Sequence, residues 1–197
     1  MRQWFALKCV VVLGVLGLLA ACAQSPQILS VQPKVSGGFP HTGSGQTVTL
    51  NVVDGRDDNV IGTRSGTASA TSTITVEAHD VIPKLQAQAE NALRSMGFNP
   101  TTQESGGPSL TLTLSELDYA RGSADEPLLG ASQLQAIITA KVENGSNTYT
   151  GRYTAKRKQS YAFKPDWDTN NRMVSELLSS ALDRTFRDQQ LANLLAR

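Results

Sequence analysis

Apolar and polar residues alternate with a period of two in four stretches of this chain, and recur at three- and four-residue steps in two others. Val48, Leu50 and Val52 alternate with Thr47, Thr49 and Asn51, the pattern of a strand with one buried face. The run Asp54-Gly55-Arg56-Asp57-Asp58-Asn59 after it is turn chemistry. Val60 with Ile61, and the stretch from Ser72 to Ala78, then predict two more strands, completing a small meander. Leu110, Leu112 and Leu114 give another period-two face, whose phase slips at Glu116 so that Leu117 and Tyr119 take over. A bulge at that point accounts for the slip.

The first helical pattern places Ile82, Leu85, Ala89, Ala92, Leu93 and Met96 on one face. Asp80 is its expected N-cap, with Pro83 in the first turn. Gly97 ends the helix, and Phe98 is positioned to pack back on the last turn. After a predicted loop from Arg121 to Ser132, the face Leu134, Ala136, Ile138, Ala140 and Val142 leads to Asn144-Gly145 and returns as Tyr149, Gly151, Tyr153 and Ala155. That is a β-hairpin, whose turn Ser146 and Asn147 could lengthen. A last helix begins near Asp168 and carries Met173, Val174, Leu177, Leu178, Ala181, Leu182 and Phe186 on a broad apolar face. Leu191, Leu194 and Leu195 predict a short terminal helix. The fold class is therefore α+β, one domain, with an antiparallel or mixed sheet carrying its two main helices on one face.

The N-terminal region differs in kind. Arg2 and Lys8 precede an apolar core from Val10 to Leu19, which ends in the small residues Ala20 and Ala21 and then Cys22. A permanent span needs roughly 20 apolar residues, so residues 1–21 read as a secretory signal. From Ala23 to Gln46 the chain holds Pro26, Pro33, Pro40 and four glycines with little charge, so residues 22–46 are expected to form a tether. Its extended reach is about 80 Å. Within it, Ile28-Leu29-Ser30-Val31 is strand-like and could add an edge strand instead. The domain proper is expected over residues 47–197.

Removing the first 21 of the 197 residues leaves 176, enough for one domain with a real core. Cys9 falls in the signal, so the mature chain keeps Cys22 alone and holds no internal disulfide. With Arg2 and Lys8 gone, 16 basic residues stand against 17 acidic ones. That balance gives no support to nucleic-acid binding through bulk charge.

The Leu19-Ala20-Ala21-Cys22 ending resembles the lipobox of bacterial lipoprotein precursors. The resemblance implies acylation of Cys22, and anchors of two or three chains on one residue do not dissociate. Ala23 follows the cysteine where inner-membrane lipoproteins tend to carry Asp, which by the same resemblance implies the outer membrane, facing the periplasm. The lipobox, the Val52-Val53-Asp54-Gly55-Arg56-Asp57 strand end, the Ile61-Gly62-Thr63-Arg64 that follows and the paired helices together resemble the YajG-like family of bacterial lipoproteins. The likeness runs from about Ser25 to Arg197 and contains no catalytic motif.

The search for chemistry yields little. His41 and His79 are the histidines, with no zinc-ligand spacing around them. The Asp54 to Asn59 cluster has Arg56 where a calcium loop wants an oxygen ligand, and is expected to be a turn in which Arg56 pairs with a neighbouring carboxylate. Gly38 to Ser44 has the outline of a phosphate loop but Ser44 replaces its lysine. Ser175, Ser179 and Ser180 have no histidine neighbour in sequence. Glu116, Asp118, Asp125 and Glu126 could converge as an acid–base pair, against the simpler reading of solvated surface acids.

One cluster points to binding. Arg152, Thr154, Lys156 and Lys158 share a strand face opposite Tyr153 and Ala155, with Arg157 nearby and Lys141 on the partner strand. Tyr161, Phe163 and Trp167 follow, around Pro165. A basic stripe beside aromatics suits an acidic protein, lipid headgroups or an anionic glycan. It also suits a solvated face whose lysines guard an edge. The expected function is a non-enzymatic outer-membrane lipoprotein that needs no cofactor or metal and binds another envelope component. An accessory subunit of an envelope transport or cell-wall complex is the alternative, and a carboxylate-dependent hydrolase a third class.

Overall fold

The structure, a computed structural model, describes residues 25–64, 72–121, 130–161 and 165–197. Its strands are β1 (Gln27–Ile28), β2 (Thr47–Asp54), β3 (Val60–Thr63), β4 (Thr73–Thr75), β5 (Asn99–Thr101), β6 (Ser109–Arg121), β7 (Gly130–Asn144) and β8 (Asn147–Tyr161). The helices are α1 (Ala78–Ser95), α2 (Trp167–Phe186) and α3 (Gln189–Leu195). They form an α+β domain with one mixed sheet, as the sequence implies.

The Leu-Thr alternation of β6 makes it the spine of that sheet. Along one edge it pairs antiparallel with β7 from Ser109 to Arg121; along the other it pairs parallel with β2 over Ser109–Leu114 and with β3 at Tyr119. The register with β7 jumps between Leu114 and Glu116, leaving Ser115 as the bulged residue. This restores burial to Leu117 and Tyr119 beyond the slip. Because β2 and β3 both lie along β6, the expected meander is not formed: β2 pairs with β5 and β6, while β3 pairs with β4 and β6. The hairpin β7–β8 turns in two residues, Gly145 and Ser146, with Asn144 opposite Asn147. Gly145 has φ +59° and no described non-glycine residue has positive φ, which fits a type II′ turn.

α1 starts two residues before the expected cap. Glu77 occupies the N-cap without a side-chain bond, and the Ala78 N–H is satisfied from afar by Asn59 Oδ1 at 3.1 Å. Asp80 sits in the first turn and pairs with Lys84, and Pro83 falls in the second turn. Val81 rather than Ile82 takes the central core position. The C-terminus is a Schellman motif: the Phe98 N–H bonds to Leu93 O and the Gly97 N–H to Arg94 O, with Gly97 at φ +91°. A Cβ on Gly97 would lie 2.6 Å from Gly43 O. α2 begins under an Asp166 cap on the Thr169 N–H, and α3 under Asp188.

The core lies between the sheet and the helices, where Leu50, Leu110, Leu112, Leu114, Ile138 and Ala140 meet Leu85, Leu93, Val174, Leu178 and Phe186. The other sheet face is mainly polar, with Ile137 buried within it between Glu116 and Thr154.

The greatest departure from expectation is the segment from Gln27 to Gln46, which is no free tether. β1 pairs parallel with β4, and Leu29, Val31 and Pro33 are then buried in turn while Ser30, Gln32 and Lys34 face out. The strap bonds to both main helices. The Gln32, Lys34 and Ser36 N–H groups donate to Ser175 Oγ, Ser179 Oγ and Asp183 Oδ1 of α2, each at 2.9 Å, and the Val35 N–H donates to Gln88 Oε1 of α1 at 3.1 Å. Phe39 packs on Phe186 with ring centroids 5.8 Å apart, His41 meets Ser95 O, and the Gly43 and Gly45 N–H groups close on Met96 O and Gly97 O. Prolines and glycines here serve an irregular path over a packed surface.

Leu29→Ala tests this placement. A core leucine truncated to Ala costs about 2–5 kcal/mol, whereas the same change in a free tether costs nothing. Urea denaturation should show the larger loss.

Candidate functional site

Arg152, Thr154, Lys156 and Lys158 project from β8 on the sheet face that the helices leave open, as the alternation predicts. Among the described residues β8 pairs with β7 alone, so it is an edge strand. Register carries each charge across the sheet: Lys156 stands opposite Gln135, which stands opposite Asp118, and Lys158 opposite Gln133, which stands opposite Ala120. A basic edge, an amide-bearing middle strand and an acidic β6 thus lie side by side. Gln135 donates to Glu116, and Arg152 lies 3.7 Å from the same carboxylate. Burial and the neighbouring Glu116 charge push the Asp118 carboxyl above its ordinary range. A depression of about 140 Å³ lies here, lined by Asp118, Gln133, Gln135, Lys156 and Lys158 among others.

One member of the predicted group lies on the opposite face, and another is already paired. Arg157 falls on the helix-covered face, by the same alternation that exposes Lys156, and forms an ion pair with Glu176 of α2. Lys141 is on the open face of β7 but pairs with Glu143 at 2.7 Å. Trp167 opens α2, and its indole N–H donates to Ile28 O at 2.7 Å. Tyr161 ends β8, while Phe163 lies outside the described residues, as do Asp125, Glu126 and Cys22. Glu116 and Asp118 are two residues apart on one strand face, opposite Ile137 and Gln135 of β7, and of the two only Asp118 lines the depression.

β8 is fastened to the end of the domain by a tyrosine clamp. Tyr149 and Tyr153 each donate to Asp188 Oδ2 at 2.6 Å, while Asp188 Oδ1 caps α3. Gly151 sits between the rings, and a Cβ there would lie 2.2 Å from the Tyr153 hydroxyl. Burial acts against ionisation of Asp188, but the two hydroxyls and the Gln190 and Leu191 N–H groups outweigh it and hold its carboxyl below the usual range. Burial, then the bonds to Asp188 and Tyr149, push the Tyr153 phenol far up.

The Asp54–Asn59 turn is structural, as expected. Arg56, its side chain 4% exposed, makes a bidentate pair with Asp54 at 2.9 and 2.7 Å and donates to Val76 O at 3.0 Å. It ties the end of β2 to the entrance of α1. Burial opposes charge on Asp54, and the bonds and charge of Arg56 prevail and lower its pKa. Among the described residues no cluster of three or more His, Cys, Asp or Glu side chains could hold a metal ion.

Ser175 and Ser179, set aside in the sequence for want of a histidine, are the acceptors for the strap. Their four-residue spacing on α2, continued by Asp183, was the available signal.

The described residues therefore form an α+β domain with one covered and one open sheet face. The chain belongs to the family described as uncharacterized lipoprotein, whose model, Lipoprotein_16, matches residues 33–196, in agreement with the YajG-like resemblance. No curated protein matches it in sequence. Protein XCC0632 of Xanthomonas campestris, of the family DUF330, shares the fold at TM-score 0.51 with 13% identity, over 86% of this chain and 95% of that one. An uncharacterized protein aligns at TM-score 0.51 with 12% identity, over 83% and 98% of the two chains. Among the described residues no helix is long and apolar enough to cross a membrane.

Asp188→Asn keeps the helix cap and removes the charge. A depressed native pKa stabilises above the unfolded value, about 3.9, and that contribution is lost as pH falls through the native value. The variant should melt below the wild type at pH 7, and the gap should narrow below about pH 4. Thermal melts across that range check it.

Proposed function

We propose that this protein is an acyl-anchored, non-enzymatic lipoprotein of the outer membrane, whose periplasm-facing domain binds another cell-envelope component through the open face of its sheet at β8. The observation that carries the reading is the row of Arg152, Lys156 and Lys158 on an edge strand whose face no helix covers. Opposite charges lie two strands away, at Glu116 and Asp118. A surface that presents both signs in fixed register discriminates among partners by charge pattern. Lysines and threonines along the edge oppose simple strand addition, so the partner docks on the face. The anchor is supported by the lipobox-like ending at Cys22 and by family membership. The outer-membrane location is supported by Ala23 after the cysteine, by resemblance to the lipoprotein sorting pattern.

Charge reversal tests the face. In cells carrying a photo-reactive residue at position 158, a discrete adduct is expected, and Lys156→Glu should reduce it about tenfold or more while leaving the melting temperature unchanged. An undiminished adduct would remove this face from the binding account.

A further inference from the structure

Among the described residues, the large apolar side chains left exposed are Ile28 (63%), Val60 (40%) and Trp167 (40%). Single exposed residues of this kind need no explanation, but Ile28 and Val60 share one cross-strand row and Trp167 borders Ile28. Ile28 and Val60 both pair with Thr75, one from each side of β4, so they lie in one cross-strand row facing away from the core. That places them about 10 Å apart. Trp167 joins from α2, its N–H spent on the Ile28 carbonyl at 2.7 Å, which leaves the rest of the indole free for an apolar contact.

The patch lies where the chain enters the domain. Ser25, three residues before Ile28, is held by a bond from Arg64 to its carbonyl at 3.3 Å. Cys22 is three residues further back, and three residues reach at most about 11 Å. An acyl group on Cys22 therefore holds this end of the domain at the bilayer, in place of the 80 Å of freedom that an unpacked tether implies.

We infer that Ile28, Val60 and Trp167 form a lipid-contacting surface that seats the domain on the membrane beside its own anchor. The inference rests on the proposed acylation of Cys22. Trp is favoured at the headgroup level, where an amphipathic ring has both apolar and polar neighbours. Charge selects the kind of lipid. Asp57 and Asp58 precede Val60, and Asp166 and Asp168 flank Trp167, all four exposed. Arg64 at Ser25 and Lys84 at Ser30 lie beside the same strand, but the four exposed acids outnumber them, so the rim offers no net attraction to an anionic surface and the occupant is zwitterionic phospholipid, contacted by apolar burial with little dependence on salt.

Trp167 reports on the contact directly, because the other tryptophan, Trp4, precedes Cys22 and leaves with the signal. The mature full-length protein is reconstituted in zwitterionic phosphatidylcholine vesicles, with and without bromine near the headgroup end of the acyl chains. Mass analysis of the same sample establishes whether Cys22 carries acyl chains. Acylated protein whose emission is quenched about twofold or more by the brominated lipid supports the seating. Acylated protein without quenching, including a blue-shifted emission from a second copy or protein partner covering the ring, overturns it and leaves the anchor intact. Protein without acyl chains overturns the anchor reading and this inference together. The double variant Ile28→Ser, Val60→Ser changes exposed side chains only and should fold normally while losing about half the quenching. Undiminished quenching in that variant would overturn the assignment of the patch.

Discussion

A polar seam between the N-terminal strap and α2 fixes the rest of the architecture. Ser175, Ser179 and Asp183 recur every four residues along the helix and accept the N–H groups of Gln32, Lys34 and Ser36, which recur every two. Four helical residues rise 6.0 Å and two extended residues about 6.6 Å, so the two repeats stay in step for three contacts. The strap has few strand partners, and its backbone groups would otherwise lie against the helix unpaired. With the seam made, Leu29 and Val31 turn into the core, and the strap continues past Phe186 to the end of α1.

That docking gives the domain its polarity. One end receives the chain from its N-terminal side, with Trp167 bound to Ile28 O and Asn170 buried between Tyr119 and Gln27. At the other end the tyrosine clamp on Asp188 fastens the hairpin β7–β8 to α3. Between them β6 spans the sheet, and its Ser115 bulge turns Glu116 and Asp118 outward while Leu117 and Tyr119 remain buried. The helices cover one sheet face only, and the charged rows across β6, β7 and β8 occupy the other.

The elements with local periodicity were legible in the sequence: the Leu-Thr strand with its slip, the hairpin at Asn144-Gly145, the Schellman stop at Gly97 and the apolar face of α2. Non-local pairings were not. Nothing in the Asp54–Asn59 run states that β3 will lie along β6 rather than against β2, since Arg56 makes its contacts to Val76 across a separation of twenty residues. The alternation Leu29, Val31, Pro33, Val35 was present, but the surrounding prolines and glycines also describe a linker. Only the matching serine spacing on a helix 143 residues away distinguishes the two. For the candidate site, alternation alone put Arg152, Lys156 and Lys158 on one face and should have put Arg157 on the other. The acidic partners on β6 and the placement of Ile28, Val60 and Trp167 around β1 and β4 required the fold.

The most direct test of this account is native-state hydrogen exchange at the strap amides of Gln32, Lys34, Val35 and Ser36. If the strap is an integral layer of the domain, these amides exchange at least about a hundredfold more slowly than an unstructured chain. Exchange at unprotected rates, while the amides of β6 remain protected, would return residues 27–46 to the role of a free tether and remove the basis for the short anchor.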